Sequence, residues 1–485
     1  MLTMTNNIIC IVRTRIVHNL LKHPVLKHVN ASLNLNRHYS SALFISGKKA
    51  MEVFSYISPY LDFDDKLSDF DKFQKDLTSR GFKVNAKDIK DVWELFKSVN
   101  ADRNVLQIKM DEVGQQLKNF TRADLTPEET IKAAELRQQF LALKQDLKAV
   151  RDIVWNLDET VIEKMLKLPN SIDERTPLQS PTIMKTFGEL SKLSEVKHQK
   201  NHIDIGRNLG LLEYKNPMHY YLCNDAALFE LGALSYAGKI FTENNMIRVT
   251  GSDFSRSLVV EGSGMNHEDP MDAFIIDNHC EVDKKSPNQM HLVGNASLAS
   301  FLAMHAKQVI NPTYFPLKYF TTGRQYTPFP GTFAPIGLFT VCQASVAHAF
   351  VMVKDTNGSE YHEEFEQLLN TVSKLYDNIC DHYQVVVRSA PELRPWELMR
   401  VSFELWSMYS KQYIEIGHIS MCGKYFSKRL LIAQQTPSGR DFPSVISGTV
   451  MSVPRLLGCL LEQNPEKFVI PKKIAECMPI DHTLV

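Results

Sequence analysis

PLKYFTTGRQYTPFPGTFAPIGLFTVCQASVAHAF, residues Pro316–Phe350, decides how the rest of the chain is read. Two strand-like runs, LKYFTTGRQY and GLFTVCQASVAHAF, flank a Pro/Gly-rich loop at Thr327–Gly337. Apolar and aromatic residues on either side of a turn-rich connector predict a long-loop β-hairpin. Arg324 stands just before the loop, where it can point into whatever the hairpin cradles. No Asp or Glu occurs between Pro316 and Phe350. A hairpin with a cation and no carboxylate cannot hold a substrate ammonium group by a charge-assisted pair.

Around this hairpin, short β-like runs (YYLC, MIRVT, VVVR and YIEIG) alternate with helical stretches at Ala226–Ile240 and Ser297–Ala306. Strands and helices interspersed without a repeating βα unit predict an α+β domain on a mostly antiparallel sheet, over residues 199–485. The chain has no GxxxxGK[ST] phosphate loop, no GxGxxG and no HExxH. Upstream, 169–198 is rich in Pro, Ser and Thr and reads as a linker.

Residues 50–168 read as a helical domain. Ile89, Val92, Phe96, Val99, Leu106, Met110, Val113 and Leu117 recur at 3-4 spacing, with Arg103 in the one polar seat. A capping box at Thr126–Glu129, with Pro127 in the first turn, then opens a second series. That series runs through Ala133, Leu136, Phe140, Leu143, Leu147, Val150, Val154, Leu157 and Val161. Two such helices predict an antiparallel coiled-coil arm, each helix about 30 residues or roughly 45 Å long. Its surface mixes both signs of charge, as a merely solvated face does. Lys109, Lys118, Arg122, Lys132, Arg137 and Lys144 are its candidate RNA contacts, because neutralising a nucleic-acid backbone needs several cations on one face.

Residues 1–45 read as an address. The first acidic residue is Glu52, while Arg13, Arg15, Lys22, Lys27 and Arg37 are spread through a segment with apolar residues at helical spacing. An Arg-bearing, acid-free amphipathic start predicts a mitochondrial presequence and a matrix location. No apolar run approaches a membrane span. Lys+Arg and Asp+Glu balance at 55 each, so no global field draws the chain to nucleic acid or to a membrane. Eight scattered cysteines without a CxxC pair argue against a zinc ribbon and a disulfide framework.

The order of these parts resembles the class II seryl-tRNA synthetase family along nearly all of the chain beyond the presequence. HIDIGRNLGLLEY (His202–Tyr214) resembles the HxxIGxxLGLID segment that opens the family's catalytic domain. LPNSI resembles the SIPN closing the arm, and EGSG (Glu261–Gly264) the EGTG after motif 1. The hairpin falls at motif 2, and SGTVMSVPRLLGCLLEQNP (Ser447–Pro465) at motif 3. The resemblance implies ATP bent across the sheet, with arginines on its phosphates, carboxylates holding magnesium, and further carboxylates gripping the serine ammonium.

On that pattern Arg324 and Arg455 match the phosphate arginines and Glu415 the magnesium-associated glutamate, while His418 falls where a ligating serine belongs. Tyr326 replaces the adenine-contacting glutamate, Asn295-Ala296-Ser297 the TAE that holds serine, and His348 a serine-binding glutamate. Val450 and Pro454 take glycine places in motif 3, and Gly251-Ser252 stand where motif 1 has its proline. Each lost charge-assisted contact is worth about 1.5–3 kcal/mol. The expectation is a non-enzyme without catalytic residues, metal or cofactor, keeping Arg324, Glu415 and Arg455 as a remnant nucleotide pocket. The resemblance also implies serine tRNA bound through the arm. It implies as well a homodimer, or a heterodimer with the active mitochondrial seryl-tRNA synthetase. Two alternatives stay open: an altered adenylate-forming enzyme, and a purely structural interaction protein.

Overall fold

The computed structural model describes residues 41–43, 57, 59–60, 63–120, 126–191, 200–276, 289–328, 337–354, 359–437 and 439–479. Apart from Ser41–Leu43, the stretch read as a presequence lies outside them. So do Arg122 and residues 329–336 of the hairpin loop.

In the helical domain a short turn of helix at Asp64–Ser68 leads into α1 (Phe70–Ser79), capped by the Asp69 carboxylate on the Lys72 N–H. The arm follows as α2 (Ala86–Lys118) and α3 (Pro127–Leu166), of 33 and 40 residues. Thr126 and Glu129 form the expected reciprocal cap on α3, each accepting from the other's backbone N–H (2.8 and 3.3 Å). The seam is the one the spacing predicts: Ile89, Val92, Val99 and Leu106 on α2 are buried with Leu143 and Val150 on α3. Gly114 sits directly against Phe140, where an added Cβ would lie 3.4 Å from the ring.

An eight-stranded sheet carries the second domain. In chain order its strands are β1 (Thr182–Phe187), β2 (Ile247–Arg248), β3 (Leu317–Tyr326), β4 (Gln343–Val353), β5 (Tyr383–Val387), β6 (Met399–Ser407), β7 (Gln412–Gly423) and β8 (Ser444–Ser452). Their spatial order is β1-β5-β6-β7-β8-β4-β3-β2, antiparallel throughout except that β2 runs parallel to β3. The α+β class is therefore as expected. One face is apolar: Val401, Phe403 and Leu405 of β6 join Ile414, Ile416 and Ile419 of β7 in a continuous core. That core is covered by α5 (Asp225–Glu243), α8 (Ser359–Asp377) and α10 (Val453–Gln463), labels that follow α4 (His202–Asn208) and precede the shorter α11 (Lys472–Ala475). Between them lie α6 (Ser257–Gly262), α7 (Leu298–His305) and α9 (Tyr425–Leu430). The opposite face carries the alternating polar residues, since successive strand side chains point to opposite sides.

The structure differs from the sequence reading at three places. The second hairpin strand begins at Gln343, not Gly337, because Gly337–Phe339 is a 3-10 turn. Gly337 has φ +80°, and a Cβ there would meet His202 Nε2 at 2.2 Å. The Leu338 N–H donates to that same nitrogen (3.0 Å), which leaves His202 Nδ1–H to donate to buried Glu462 (2.7 Å). The stretch read as a linker contributes β1, which pairs with β5 over Thr182–Phe187, and Asn170, whose amide donates to the Trp396 and Cys422 carbonyls (3.0 and 2.8 Å). Ser41–Leu43, inside the stretch read as a presequence, packs into the core: Leu43 is fully buried, and Ser41 Oγ and the Leu43 N–H donate to Glu261 (2.8 Å each). A cut at residue 45 would strip that buried carboxylate of these donors.

Among the described residues no helix is long and apolar enough to cross a membrane. The described cysteines are all free thiols.

Candidate functional site

The polar face is built by period-2 alternation. On β6, Arg400, Ser402 and Glu404 alternate with Val401, Phe403 and Leu405. Glu415, His418 and Ser420 project from β7, Ser447 and Thr449 from β8, and His348 from β4. The register places Glu404 beside Glu415 and His348 beside Thr449.

Glu415 is the electrostatic centre of this face. Arg400 Nη2 donates to its Oε1, and Ser402 Oγ donates to its Oε2 (2.6 Å). His418 Nδ1 lies 3.5 Å away, Arg388 Nη2 3.7 Å and Arg455 Nη1 4.0 Å. Burial opposes ionisation, but Arg400, His418 and Arg455 together hold the carboxyl well below its usual range. The neighbouring acids are equally committed: Glu404 meets Arg388 and accepts from Gln384, and Glu397 accepts from Ser420 Oγ (2.6 Å) with Arg400 at 3.6 Å.

That arrangement does not fit the magnesium that the resemblance implies. A divalent hard cation needs carboxylates whose negative charge is not already neutralised by neighbouring cations. Both oxygens of Glu415 already receive a donor, and three arginines lie within 4.0 Å of it. The described residues contain no group of three or more His, Cys, Asp or Glu side chains that could hold a metal.

The two arginines expected at the phosphates also have protein partners. Arg455, in the first turn of α10, donates through Nε to the Phe339 carbonyl (3.0 Å) and through Nη1 to the Glu415 carbonyl (2.9 Å). Arg324 pairs with Glu230 on α5 (3.1 Å) and lines a cavity of about 340 Å³ that neither Glu415 nor Arg455 lines. Both guanidinium groups keep a share of their surface open, 37% and 42%. Pro454 falls within the first turn of α10, where a missing N–H is tolerated but one anion-facing donor is lost. Val450 departs from expectation, since its side chain is buried in the core and not on the polar face.

Asn295 and His348 act as internal struts. Asn295 accepts the Arg324 N–H (2.9 Å) and donates its own N–H to Asp253 (2.8 Å). Its close approach depends on Gly323, where a Cβ would meet Asn295 Oδ1 at 2.2 Å. Ser297 caps α7. His348 is buried between Ser447 Oγ (2.8 Å from Nε2) and Thr449 Oγ1 (3.2 Å from Nδ1), with Phe301 stacked on it. Because the Ser447 hydroxyl donates to the Ala349 carbonyl, His348 Nε2–H is the donor of that pair. Burial, with His418 nearby, pushes His348 down to about 3, so it stands neutral and gives an ammonium group no counter-charge. Tyr326 ends β3 with its N–H on the Val293 carbonyl (3.2 Å).

Sequence reading missed Arg388, Arg400, Ser402, Glu404 and Glu230. The Arg-x-Ser-x-Glu alternation of MRVSFELWS was the available signal for three of them. On the arm, Lys109, Lys118, Lys132, Arg137 and Lys144 are all exposed. With Gly114 facing Phe140, equal rise along antiparallel helices sets Lys109 level with Lys144 and Lys118 level with Arg137.

Residues 282–464 match the tRNA synthetase class II core domain (G, H, P, S and T). The chain is 25% identical over 443 residues to the serine–tRNA synthetase-like protein Slimp of Drosophila melanogaster, covering 91% of this chain and 92% of that one. It is 21% identical to the mitochondrial serine–tRNA ligase of Mus musculus over 84% of this chain and 80% of the ligase. The fold is that of the seryl-tRNA synthetase of Pyrococcus horikoshii, solved with ATP, at a TM-score of 0.70 and 18% identity over 87% of this chain and all of that one. A long helical arm, an antiparallel sheet with its polar face, and similarity over most of the chain converge on one likeness: the chain has the fold of class II seryl-tRNA synthetases and is similar in sequence to serine–tRNA ligases and to the synthetase-like protein Slimp.

Proposed function

We propose that the protein is a non-catalytic, mitochondrial matrix member of this family that acts by binding serine tRNA through its arm. Its protein partner is a second copy of itself or the active mitochondrial seryl-tRNA synthetase. The observation that carries the reading is the commitment of Glu415: a carboxylate that accepts from Arg400 and Ser402, with three arginines within 4.0 Å, is already charge-compensated, and those cations repel a divalent metal. Asn295 and the neutral His348 add no charge for a serine ammonium. Binding interactions that discriminate for an ammonium group are lost with the groups that make them.

The arm supports the binding half of the reading. Its exposed cations lie on both helices, with Lys109 near the level of Lys144 and Lys118 near that of Arg137, where an RNA backbone crossing the arm can meet them. Location in the matrix rests on the acid-free start, with any cleavage falling before Ser41.

The test measures serine-dependent ATP–pyrophosphate exchange and serine tRNA binding in one preparation of the protein. Binding without exchange is expected. Exchange above background would overturn the non-catalytic reading, and absence of tRNA binding would leave protein partnership as the function. Replacing Lys109, Lys118, Arg137 and Lys144 by Gln should weaken tRNA binding and flatten its dependence on salt.

A further inference from the structure

Between the helical domain and the sheet domain lies a cavity of about 510 Å³, within the usual range for small-molecule sites. None of Arg324, Glu415 or Arg455 lines it. Lys66 and Lys72 enter from the helical side, and from the sheet side Lys424, at the start of α9 and paired with Asp441 (2.9 Å), with Lys428 and Arg429 of α9. Among the described residues two acids, Asp69 and Asp76, share the lining, and Asp76 accepts the Ile172 N–H (3.1 Å). Tyr60, Phe63, Phe73 and Tyr425 supply an aromatic wall. We propose that this interdomain cavity binds a small phosphorylated anion of nucleotide size.

Lys66 carries the argument beyond a count of charges. Its ammonium donates to the neutral Pro169 carbonyl (3.1 Å). Burial, followed by Arg429, Lys428 and Arg80, pushes it down to about 7, against the opposing pull of Asp76. A lysine placed among three cations pays for that position unless an anion joins them. Arg80, part of the same electrostatic cluster, has no acceptor for its buried Nε. An anion in the cavity relieves the repulsion and draws a proton onto Lys66. The flat aromatic groups beside the cations suit a base attached to the phosphates.

The test uses the full chain and isothermal titration with pyrophosphate and with ATP. Binding of either with proton uptake near pH 7.5, seen as a heat that changes with buffer ionisation enthalpy, is expected. Equal affinities identify a site that reads phosphate alone, while tighter ATP binding shows that the aromatic wall takes part. Sulfate, which does not titrate in this range, serves for the pH series: affinity should fall about tenfold per pH unit above 7 as Lys66 discharges. Lys428→Ala with Lys72→Ala should cost at least tenfold in affinity, and Lys66→Met should abolish the proton uptake. The two variants keep the proposal testable if one folds poorly. No binding of any probe at millimolar concentration, or binding indifferent to these substitutions, would overturn it.

Discussion

Both oxygens of Glu415 are occupied, so removing its charge tests how far the polar face depends on it. In Glu415→Gln, Arg400 loses its nearest anion inside a largely desolvated site. Breaking a buried pair from one side costs about 3–5 kcal/mol, and Glu397 at 3.6 Å offsets part of it. Chemical denaturation should therefore show a loss of roughly 3 kcal/mol, mostly recovered in the double variant with Arg400→Met. An unchanged midpoint in the single variant would mean that the network is solvent-screened. His348 makes a pH-dependent counterpart. Its folded pKa is about 3 against an ordinary 6.5, so the fold favours the neutral form. That contribution is complete above pH 6.5 and is lost as pH falls towards 3. By pH 5 the loss amounts to about 2 kcal/mol. In His348→Gln the drop in stability between pH 7 and 5 should shrink by that amount, while His291, pushed down to about 4 by burial, keeps its own share. At this scale the sequence disclosed which residues stand on the face but not whom they touch. Arg324 and Glu230 are 94 positions apart, and no local pattern pairs them.

Elements were more legible than contacts because their signal is periodic and local. The arm's seam followed from 3-4 spacing, and the Thr126–Glu129 cap from four consecutive residues. The late start of β4 was hidden because its cause is His202, more than a hundred positions upstream. β1 was hidden by the Pro/Ser/Thr-rich composition around it, although a short edge strand with largely exposed side chains needs little apolar sequence. The arm should also behave as an element in its own right. Leu143 is buried in the α2–α3 seam, and Leu→Ala in such a setting costs about 2–5 kcal/mol. Hydrogen exchange of Leu143→Ala should show faster amide exchange along α2 and α3 with β4, β7 and β8 unaffected. Loss of protection in the sheet as well would mean that arm and sheet unfold as one unit.

A polar bridge at the end of α1 joins the two domains, beside the apolar contact that Leu166 of α3 makes with the sheet-domain core. Arg80 is buried, and its guanidinium donates to the carbonyls of Ser171 (3.2 Å), Arg394 (3.1 Å) and Glu397. Asp76, one turn earlier, accepts the Ile172 N–H, so a single helix end grips both the segment entering the sheet domain and the loop before β6. Burial lowers Arg80 only to about 10, which leaves it charged at neutral pH and its hydrogen bonds charge-assisted. Arg80→Met keeps most of the aliphatic stem but removes every donor, leaving three carbonyls without that partner. At about 1.5–3 kcal/mol for each charge-assisted hydrogen bond, the coupling lost is roughly 5 kcal/mol or more. Domains whose buried polar contacts are removed tend to move and melt separately. Calorimetry should therefore give one transition for the unaltered chain and two for Arg80→Met, the helical domain melting first. The cavity beside this bridge adds a further consequence: a phosphorylated ligand bound to Lys66 and Lys428 touches both domains and should draw the two transitions back together. If Arg80→Met still melts in a single step, the apolar contact between the domains, and not this arginine, couples them.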